Sequence, residues 1–298
     1  MAAETSPIAH ITPLTLLAPA IRSWEIYLND QGRSRYTVKA FIGDLQLFAS
    51  FLAPDRNLGS ITTNDLNQFL QWMLNERGIP CSPKSYARRV TSLKAFFRWL
   101  TQTGRLMADP AEKVMQQSVI SPLPVVLSVE EEEKVLSLAD QLRTSKKPDT
   151  RPYTLLSLLL ITGLKKGECL ALEKNHIDLE AQEGPFLFVR YATPANRYKE
   201  RKINLTAEWV EAYKEYLAQY QPADKVFYWS PRRLEYLLED LGNEAGLQKH
   251  LSFDMCRWTC ALDDWRAGID SDTIRQKMGV SKIQWREISM KLKQLIDG

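Results

Sequence analysis

The sequence predicts a mainly α-helical protein built from two domains. Its 298 residues are enough for two ordinary domains of about 100 to 200 residues each. Apolar residues recur at helical spacing over most of the chain, and the stretch 117–127 contains two prolines and no charge, which is typical of a linker. We expect an irregular leader over 1–18, a helical domain over 19–116, a linker over 117–127 and a second domain over 128–298.

Four main helices account for the first domain. The fourth has a strong start at Ser82-Pro83, because serine caps helices and proline suits their first position. Thr63-Asn64-Asp65 is the expected cap of the third helix. The predicted helices cover 19–30, 37–52, 63–76 and 82–101, and a short segment follows from Asp109.

The second domain is predicted to be helix-rich, with a small sheet inserted early. Ser128 followed by four glutamates is a capped helix start, and the very apolar helix over 153–162 ends at Gly163. Two short strands are predicted over 185–191 and 202–205, with a polar turn between them. Further helices are predicted over 207–220, 231–245, 253–267, 271–277 and 282–295.

The fourth helix carries an unusual pattern of charge. Residues 77–108 contain seven basic side chains and no acidic one. At about 100° per residue, four of the cations form a stripe opposite an apolar face. They are Lys84, Arg88, Lys94 and Arg98, and the opposite face carries Tyr86, Val90, Leu93, Phe96, Phe97 and Leu100. The stripe is either a solvated surface or, because its charge has a single sign, a face that binds a phosphate backbone.

Composition excludes several classes of function. No window approaches the roughly 18 apolar residues of a membrane span, and the N-terminus lacks the basic start of a signal peptide. Four cysteines and three histidines without a Cys-x-x-Cys pair predict reduced thiols, no metal and no cofactor. We therefore expect a cytoplasmic protein with no membrane partner and no small-molecule substrate.

Several local motifs resemble those of the tyrosine recombinase family, the phage integrase and Xer-type enzymes. The string 162–168 reads Thr-Gly-Leu-Lys-Lys-Gly-Glu and resembles the family's Thr-Gly-Leu-Arg-x-x-Glu signature. The string 199–205 resembles the family's β-hairpin, and 254–257 stands where the family has His-x-x-Arg. The resemblance covers almost the whole chain. It implies a helical SAM-like core-binding domain followed by a mostly helical catalytic-type domain with a small antiparallel β-sheet, the two clamping DNA.

The resemblance also locates the catalytic positions. The family cleaves DNA through a tyrosine nucleophile, assisted by two arginines, a lysine and a histidine or tryptophan. Ungapped counting from the motifs places these roles at Lys165, Asn196, Asp254, Arg257, Val280 and Ser289, the last in the place of the tyrosine. Only Arg257 is the family's residue.

These substitutions predict a DNA-binding protein that no longer cleaves DNA. The expected partner is double-stranded DNA, together with a second copy of the chain or an active recombinase, which implies association with the nucleoid. The candidate DNA contacts are Lys84, Arg88, Lys94 and Arg98 in the first domain and Lys165, Lys199, Arg201 and Arg257 in the second. Lys165, at the C-terminus of a predicted helix, has the alternative role of capping that helix's dipole, and Arg257 that of an ion-pair partner of Asp254 or Glu168. Two other functions stay open: a recombinase with a non-standard nucleophile, and a protein-interaction module without DNA binding.

Overall fold

The computed structural model describes residues 10–115 and 122–297 and divides the chain into two compact units, Met1–Pro122 and Leu123–Gly298. The leader residues 1–9 and the linker residues 117–121 lie outside the described residues. Each unit has its own apolar core. Among the described residues, no helix is long and apolar enough to cross a membrane.

The first unit is helical, and its four main helices confirm the fold class predicted for it. They are α1 (Leu17–Asp30), α2 (Arg35–Phe51), α3 (Thr63–Asn75) and α4 (Pro83–Gln102). The predicted cap of α3 is wrong by one residue: Thr62 is the cap, and it forms a capping box with Asp65. Ser82 caps α4 as expected, with Pro83 in the first turn.

The core of the first unit is strongly aromatic. Phe48, Phe69, Phe96 and Phe97 have no exposed surface, and their rings meet mostly edge to face. The predicted apolar face of α4 is buried throughout. This burial fixes the rotation of α4 about its own axis and directs its opposite face to solvent.

The second unit is mostly helical around a three-stranded sheet. Its helices are α5 (Val129–Thr144), α6 (Arg151–Thr162), α7 (Lys166–Ala171), α8 (Ala207–Tyr220), α9 (Pro231–Glu244), α10 (Phe253–Arg266), α11 (Ser271–Lys277) and α12 (Lys282–Asp297). Its strands are β1 (Ile177–Asp178), β2 (Phe186–Val189) and β3 (Arg201–Asn204).

The sheet is antiparallel in the order β1-β2-β3, which confirms the small antiparallel sheet that the sequence predicted. Two of its strands were predicted, but β1 was not, because two residues are too few to show an alternating pattern. The segment between β2 and β3 contains a 3₁₀ helix, Pro194–Lys199, where the sequence predicted a polar turn.

Helix α6 is the centre of the second unit. Its leucines are buried on every side because α5, α8, α9 and α10 all pack against it. It ends at Gly163, whose φ of 60° is the left-handed conformation that favours glycine. A smaller cluster joins α10, α11 and α12 through Leu262, Ile274, Met278, Trp285 and Leu292. The turn after α6 and the turn after α11 supply the groups that surround the family's catalytic positions.

Candidate functional site

The basic face of α4 is only partly free. Lys84 and Arg98 are exposed, and neither side chain has a hydrogen bond or ion pair within the described residues. Arg88 donates to Asp44 Oδ1 at 2.8 Å, and Lys94 Nζ donates to the carbonyl of Glu112 at 3.1 Å. Two of the four predicted DNA contacts are therefore available without rearrangement, and the other two already have protein partners.

The acid opposite Arg88 comes from α2. Asp44 is 4% exposed, accepts a hydrogen bond from the Ser92 hydroxyl at 2.8 Å, and lies 3.6 Å from Arg89 Nε. Burial raises the pKa of Asp44, while the hydrogen bond from Ser92 and the two arginines favour its charged form. The positive charge of the stripe is thus opposed at Arg88 by a carboxylate from a distant part of the sequence, which the single sign of charge within α4 could not indicate.

A cleft of about 430 Å³ in the second unit includes three of the family's catalytic positions. Its lining residues come from the turn between α6 and α7, the start of α7, α9, the loop before α10 and the start of α10. They are Lys165, Lys166, Glu235, His250, Leu251, Ser252, Phe253, Asp254 and Arg257. The cleft brings Lys165, Asp254 and Arg257 together, as the resemblance implies. Asp254 is exposed, so the cleft carries a carboxylate among its cations.

Lys165 performs two structural tasks at once. It is the N-cap of α7, and its backbone N–H donates to Glu168 Oε2 at 2.9 Å. Its Nζ donates to the carbonyl of Gly279 at 2.9 Å and lies 3.6 Å from Glu168 Oε1. Burial lowers the pKa of Lys165 to about 8, although Glu168 acts in the opposite direction. The expected capping of the preceding helix dipole is not what is seen; the residue starts α7.

Arg257 is directed inward. Its side chain donates to the carbonyls of Gly163 and Met278, and the residue is 7% exposed. Among the described residues it forms no ion pair, so the predicted pairing with Asp254 or Glu168 is wrong. Burial lowers the pKa of Arg257. Its guanidinium links the end of α6 to the end of α11.

Arg201 is also directed inward, and this is the largest departure from the predicted DNA contacts. It donates to Glu168 Oε2 at 2.8 Å and to the carbonyl of Lys277 at 2.6 Å, and it is 9% exposed. Burial alone would raise the pKa of Glu168, but hydrogen bonds from Arg201, Tyr191 and the Lys165 backbone lower it to about 2. A DNA phosphate could reach Arg201 only by breaking this buried ion pair.

Gly279 shows how tightly this region is packed. Its φ is 57°, and a Cβ at this position would lie 2.5 Å from Arg201 Nη1. Glycine is therefore required both by the backbone conformation and by the space that the guanidinium occupies. In this part of the chain, packing around Arg201 explains a glycine that the sequence analysis gave no role of its own.

The remaining catalytic positions hold groups of low reactivity. Asn196 accepts a hydrogen bond from Lys199 Nζ at 2.9 Å, and Val280 is 8% exposed and apolar. The Ser289 hydroxyl donates to the carbonyl of Arg286 at 3.1 Å within α12. None of the three is among the residues that line the cleft.

Sequence reasoning missed three titratable residues of the cleft: Lys166 and Glu235, which form an ion pair, and His250. His250 lies in the loop before α10, and its Nδ1 is 3.8 Å from Glu239 Oε1. The loop precedes the motif that begins at Asp254, so a search restricted to the motif positions passes over it. The nearby Ser252, which caps α10, would have marked the start of the helix but not the cleft.

Comparison with known proteins decides the family. Residues 126–288 match the model of the phage integrase family, and residues 21–104 match the model of the phage integrase N-terminal SAM-like domain. The chain belongs to the phage integrase family. Both halves of the predicted fold class, and the resemblance to tyrosine recombinases, are thereby confirmed.

Two curated members of the family illustrate the similarity. Tyrosine recombinase XerD of Listeria innocua is 27% identical over 279 residues, which cover 87% of this chain and 89% of that protein. Tyrosine recombinase XerC of Roseiflexus castenholzii is 28% identical over 275 residues, covering 87% and 84%.

Solved structures of the family share the fold. XerH site-specific recombinase bound to its palindromic difH substrate, in a post-cleavage complex, aligns with a TM-score of 0.73 at 19% identity and covers 94% of this chain and 82% of that one. A lambda integrase tetramer bound to a Holliday junction aligns with a TM-score of 0.73 at 14% identity, covering 93% and 78%.

Proposed function

We propose that this protein binds double-stranded DNA as a member of the phage integrase family and does not cleave it. The observation that carries the proposal is the serine at the nucleophile position. The Ser289 hydroxyl donates to the carbonyl of Arg286, and in the described part of the chain no basic side chain accepts its proton. A serine hydroxyl without an adjacent base is a weak nucleophile. No tyrosine follows Tyr236 in the sequence.

The other substitutions point in the same direction. Asp254 places a negative charge in the cleft, which opposes the approach of a phosphodiester, and Val280 offers no hydrogen bond to one. Lys165 and Arg257 keep their positive charges but donate to main-chain carbonyls. Part of the donor capacity of these two groups is therefore already used within the protein.

DNA binding is supported by the solved family members that are DNA-bound and by the basic face of α4. We assign the first contacts to Lys84 and Arg98, which are exposed and unpaired in the described part of the chain. Arg88 and Lys94 can join them at the cost of their present partners. In the second unit Lys199 is the better candidate, because Arg201 is buried with Glu168.

This assignment keeps the predicted organisation, with a DNA-binding domain over 19–116 and a catalytic-type domain over 128–298. A protein that binds DNA without cutting it would act together with a second copy or with an active recombinase on the same DNA. Contacts to the phosphate backbone would dominate the affinity and make it sensitive to salt.

Salt-dependent binding to duplex DNA tests the proposal. The affinity K falls as salt is raised, so the slope of log K against log salt is negative. The variant Lys84→Gln/Arg98→Gln should make this slope shallower by about 1.8, because each phosphate contact contributes about 0.9 to its magnitude. The matched control is Lys146→Gln/Lys147→Gln, which removes two exposed cations from the other unit and should leave the slope unchanged. Equal effects of the two pairs, or no binding by the wild type, would contradict the proposal and favour the protein-interaction module.

A nicked duplex that traps covalent intermediates tests the absence of cleavage. No adduct is expected from the wild type. An adduct lost in Ser289→Ala would establish an active recombinase with a serine nucleophile. An adduct that survives this change would instead point to a tyrosine elsewhere, of which Tyr198, 67% exposed in the segment between β2 and β3, is accessible.

A further inference from the structure

The first unit contains an aromatic cavity that lies beside the basic face of α4. It has a volume of about 310 Å³, at the lower end of the range for small-ligand sites. Helices α1, α2 and α4 each contribute to its wall. Four of its lining residues are aromatic: Trp24, Tyr27, Phe41 and Trp99.

The aromatic residues are arranged in two pairs. Trp24 and Phe41 are stacked with ring centroids 5.8 Å apart and planes at 16°, and Tyr27 and Trp99 lie 5.5 Å apart at 32°. Tyr27 and Phe41 are half-buried, whereas Trp24 and Trp99 belong to the core. The cavity therefore has a rigid aromatic wall that is still reachable from solvent.

Two arginines lie among the residues that line this cavity. Arg33 and Arg98 are both exposed, and neither guanidinium has a hydrogen bond or an ion pair within the described residues. Free guanidinium groups favour phosphate oxygens, which they can hold in a bidentate manner. The other polar lining residues are Gln31, Thr37 and Gln102, which offer neutral donors and acceptors.

The wall also contains an unsatisfied donor. The indole N–H of Trp99 is buried and has no acceptor among the described residues. Leaving a buried donor without an acceptor is unfavourable, and most buried donors in proteins have a hydrogen-bond partner. Because this nitrogen is closed to solvent, the contacts available to a ligand in the cavity are those of the aromatic rings and the arginines.

We infer that this cavity is a nucleotide-binding subsite, in which a base stacks on the aromatic wall and its phosphate is held by Arg33 and Arg98. The ligand needs a flat π-surface for the rings and a negative charge for the arginines. A cationic ligand would be repelled by both guanidinium groups, and an aliphatic anion would have no flat π-surface to stack on the rings. Base–aromatic stacking combined with arginine–phosphate contacts is how unpaired nucleotides are bound elsewhere. The nucleotide is either free in solution or an unpaired residue of a DNA strand.

The first experiment measures binding of free deoxynucleoside monophosphates by calorimetry. Arg33→Ala should weaken binding about tenfold or more, because it removes a charge-assisted hydrogen bond. Phe41→Leu should weaken nucleotide binding about fivefold or more, because it replaces an aromatic stacking surface with an aliphatic side chain of similar volume. The control is Arg22→Ala, which removes an exposed arginine of α1 that does not line the cavity and should have no effect.

The second experiment compares a fully paired duplex with the same duplex carrying one unpaired nucleotide. Tighter binding of the duplex with the unpaired nucleotide, lost in Arg33→Ala, identifies a DNA strand as the source. Binding of the free nucleotide with the same sensitivity identifies a free nucleotide. The inference is wrong if the wild type binds neither ligand more tightly than Arg33→Ala does, or if Arg22→Ala weakens binding as much as Arg33→Ala.

The test is separable from that of the proposed function. Arg33 lies outside the basic stripe of α4, so Arg33→Ala should leave the binding of the fully paired duplex unchanged. If it weakens that binding as much as it weakens nucleotide binding, Arg33 is an ordinary backbone contact and the cavity is not a nucleotide site. Failure of all duplex binding would contradict the proposed function but leave the free-nucleotide measurement intact.

Discussion

Replacing Arg201 with methionine tests whether this residue stabilises the second unit instead of contacting DNA. The change leaves the carboxylate of Glu168, whose side chain is 3% exposed, without its bidentate partner. The remaining neighbours are the Tyr191 hydroxyl, the Lys165 backbone N–H and Lys165 Nζ at 3.6 Å. Removing one member of a buried ion pair costs about 3–5 kcal/mol, because the other charge stays buried without compensation.

The pKa of Glu168 gives a second route to the same magnitude. It is about 2 in the folded protein against an ordinary value of 4.5. Since one pKa unit corresponds to about 1.4 kcal/mol, this shift represents about 3 kcal/mol of stability. The folded-state pKa lies below the unfolded value. The stabilisation is therefore fully present above pH 4.5 and is lost as the pH falls towards 2.

Urea unfolding at pH 7, pH 5 and pH 3 measures both effects. Arg201→Met should lower the free energy of unfolding at pH 7 by about 3–5 kcal/mol and should lose less stability between pH 5 and pH 3 than the wild type. The control is Lys202→Met, on the same strand, which breaks an exposed ion pair with Glu183 and should cost at most about 1 kcal/mol. If Arg201→Met is as mild as Lys202→Met, the assigned structural role is wrong.

Two further predictions concern stability. Gly279→Ala should destabilise the protein by about 2 kcal/mol in urea unfolding, because the new Cβ would meet Arg201 at 2.5 Å and the φ is positive. Gly167→Ala, whose Cβ meets nothing within 4 Å, should be neutral or slightly stabilising, and equal effects would contradict the argument. Burial and the charge of Asp263 raise the pKa of Glu132 to about 7, so the wild type should lose stability as pH rises from 5 to 8. Allowing for partial exposure, the loss is about 1–2 kcal/mol, and Glu132→Gln should abolish it; an unchanged pH profile in this variant would show that another group titrates.

Local signals predicted the helical framework well. The starts of α4 and α5 were predicted correctly from the capping serines Ser82 and Ser128, and the end of α6 from Gly163. These signals are reliable because a cap acts within one turn of its own helix. The buried face of α4 also followed from helical periodicity. The two-residue strand β1 did not, because its pairing with β2 depends on a distant segment and not on its own pattern.

The direction of charged side chains was the weakest part of the sequence analysis. The partner of Arg88 is 44 residues away, that of Arg201 is 33 residues away, and both are carboxylates brought close only by folding. Arg257 likewise donates to carbonyls of two distant turns. A stripe of charge on a helix shows which residues share a face, but the opposing residues of neighbouring elements decide which of them remain free for DNA.

The central claim is DNA binding without strand cleavage, and trapping on a nicked duplex tests it most directly. Wild-type protein should shift the duplex in a native gel and release it completely under denaturing conditions. Ser289→Tyr run alongside shows whether restoring the nucleophile alone is sufficient; no adduct is expected from it either, because Asp254 and Val280 still occupy catalytic positions. A protein–DNA adduct that withstands denaturation of the wild-type complex would contradict the account.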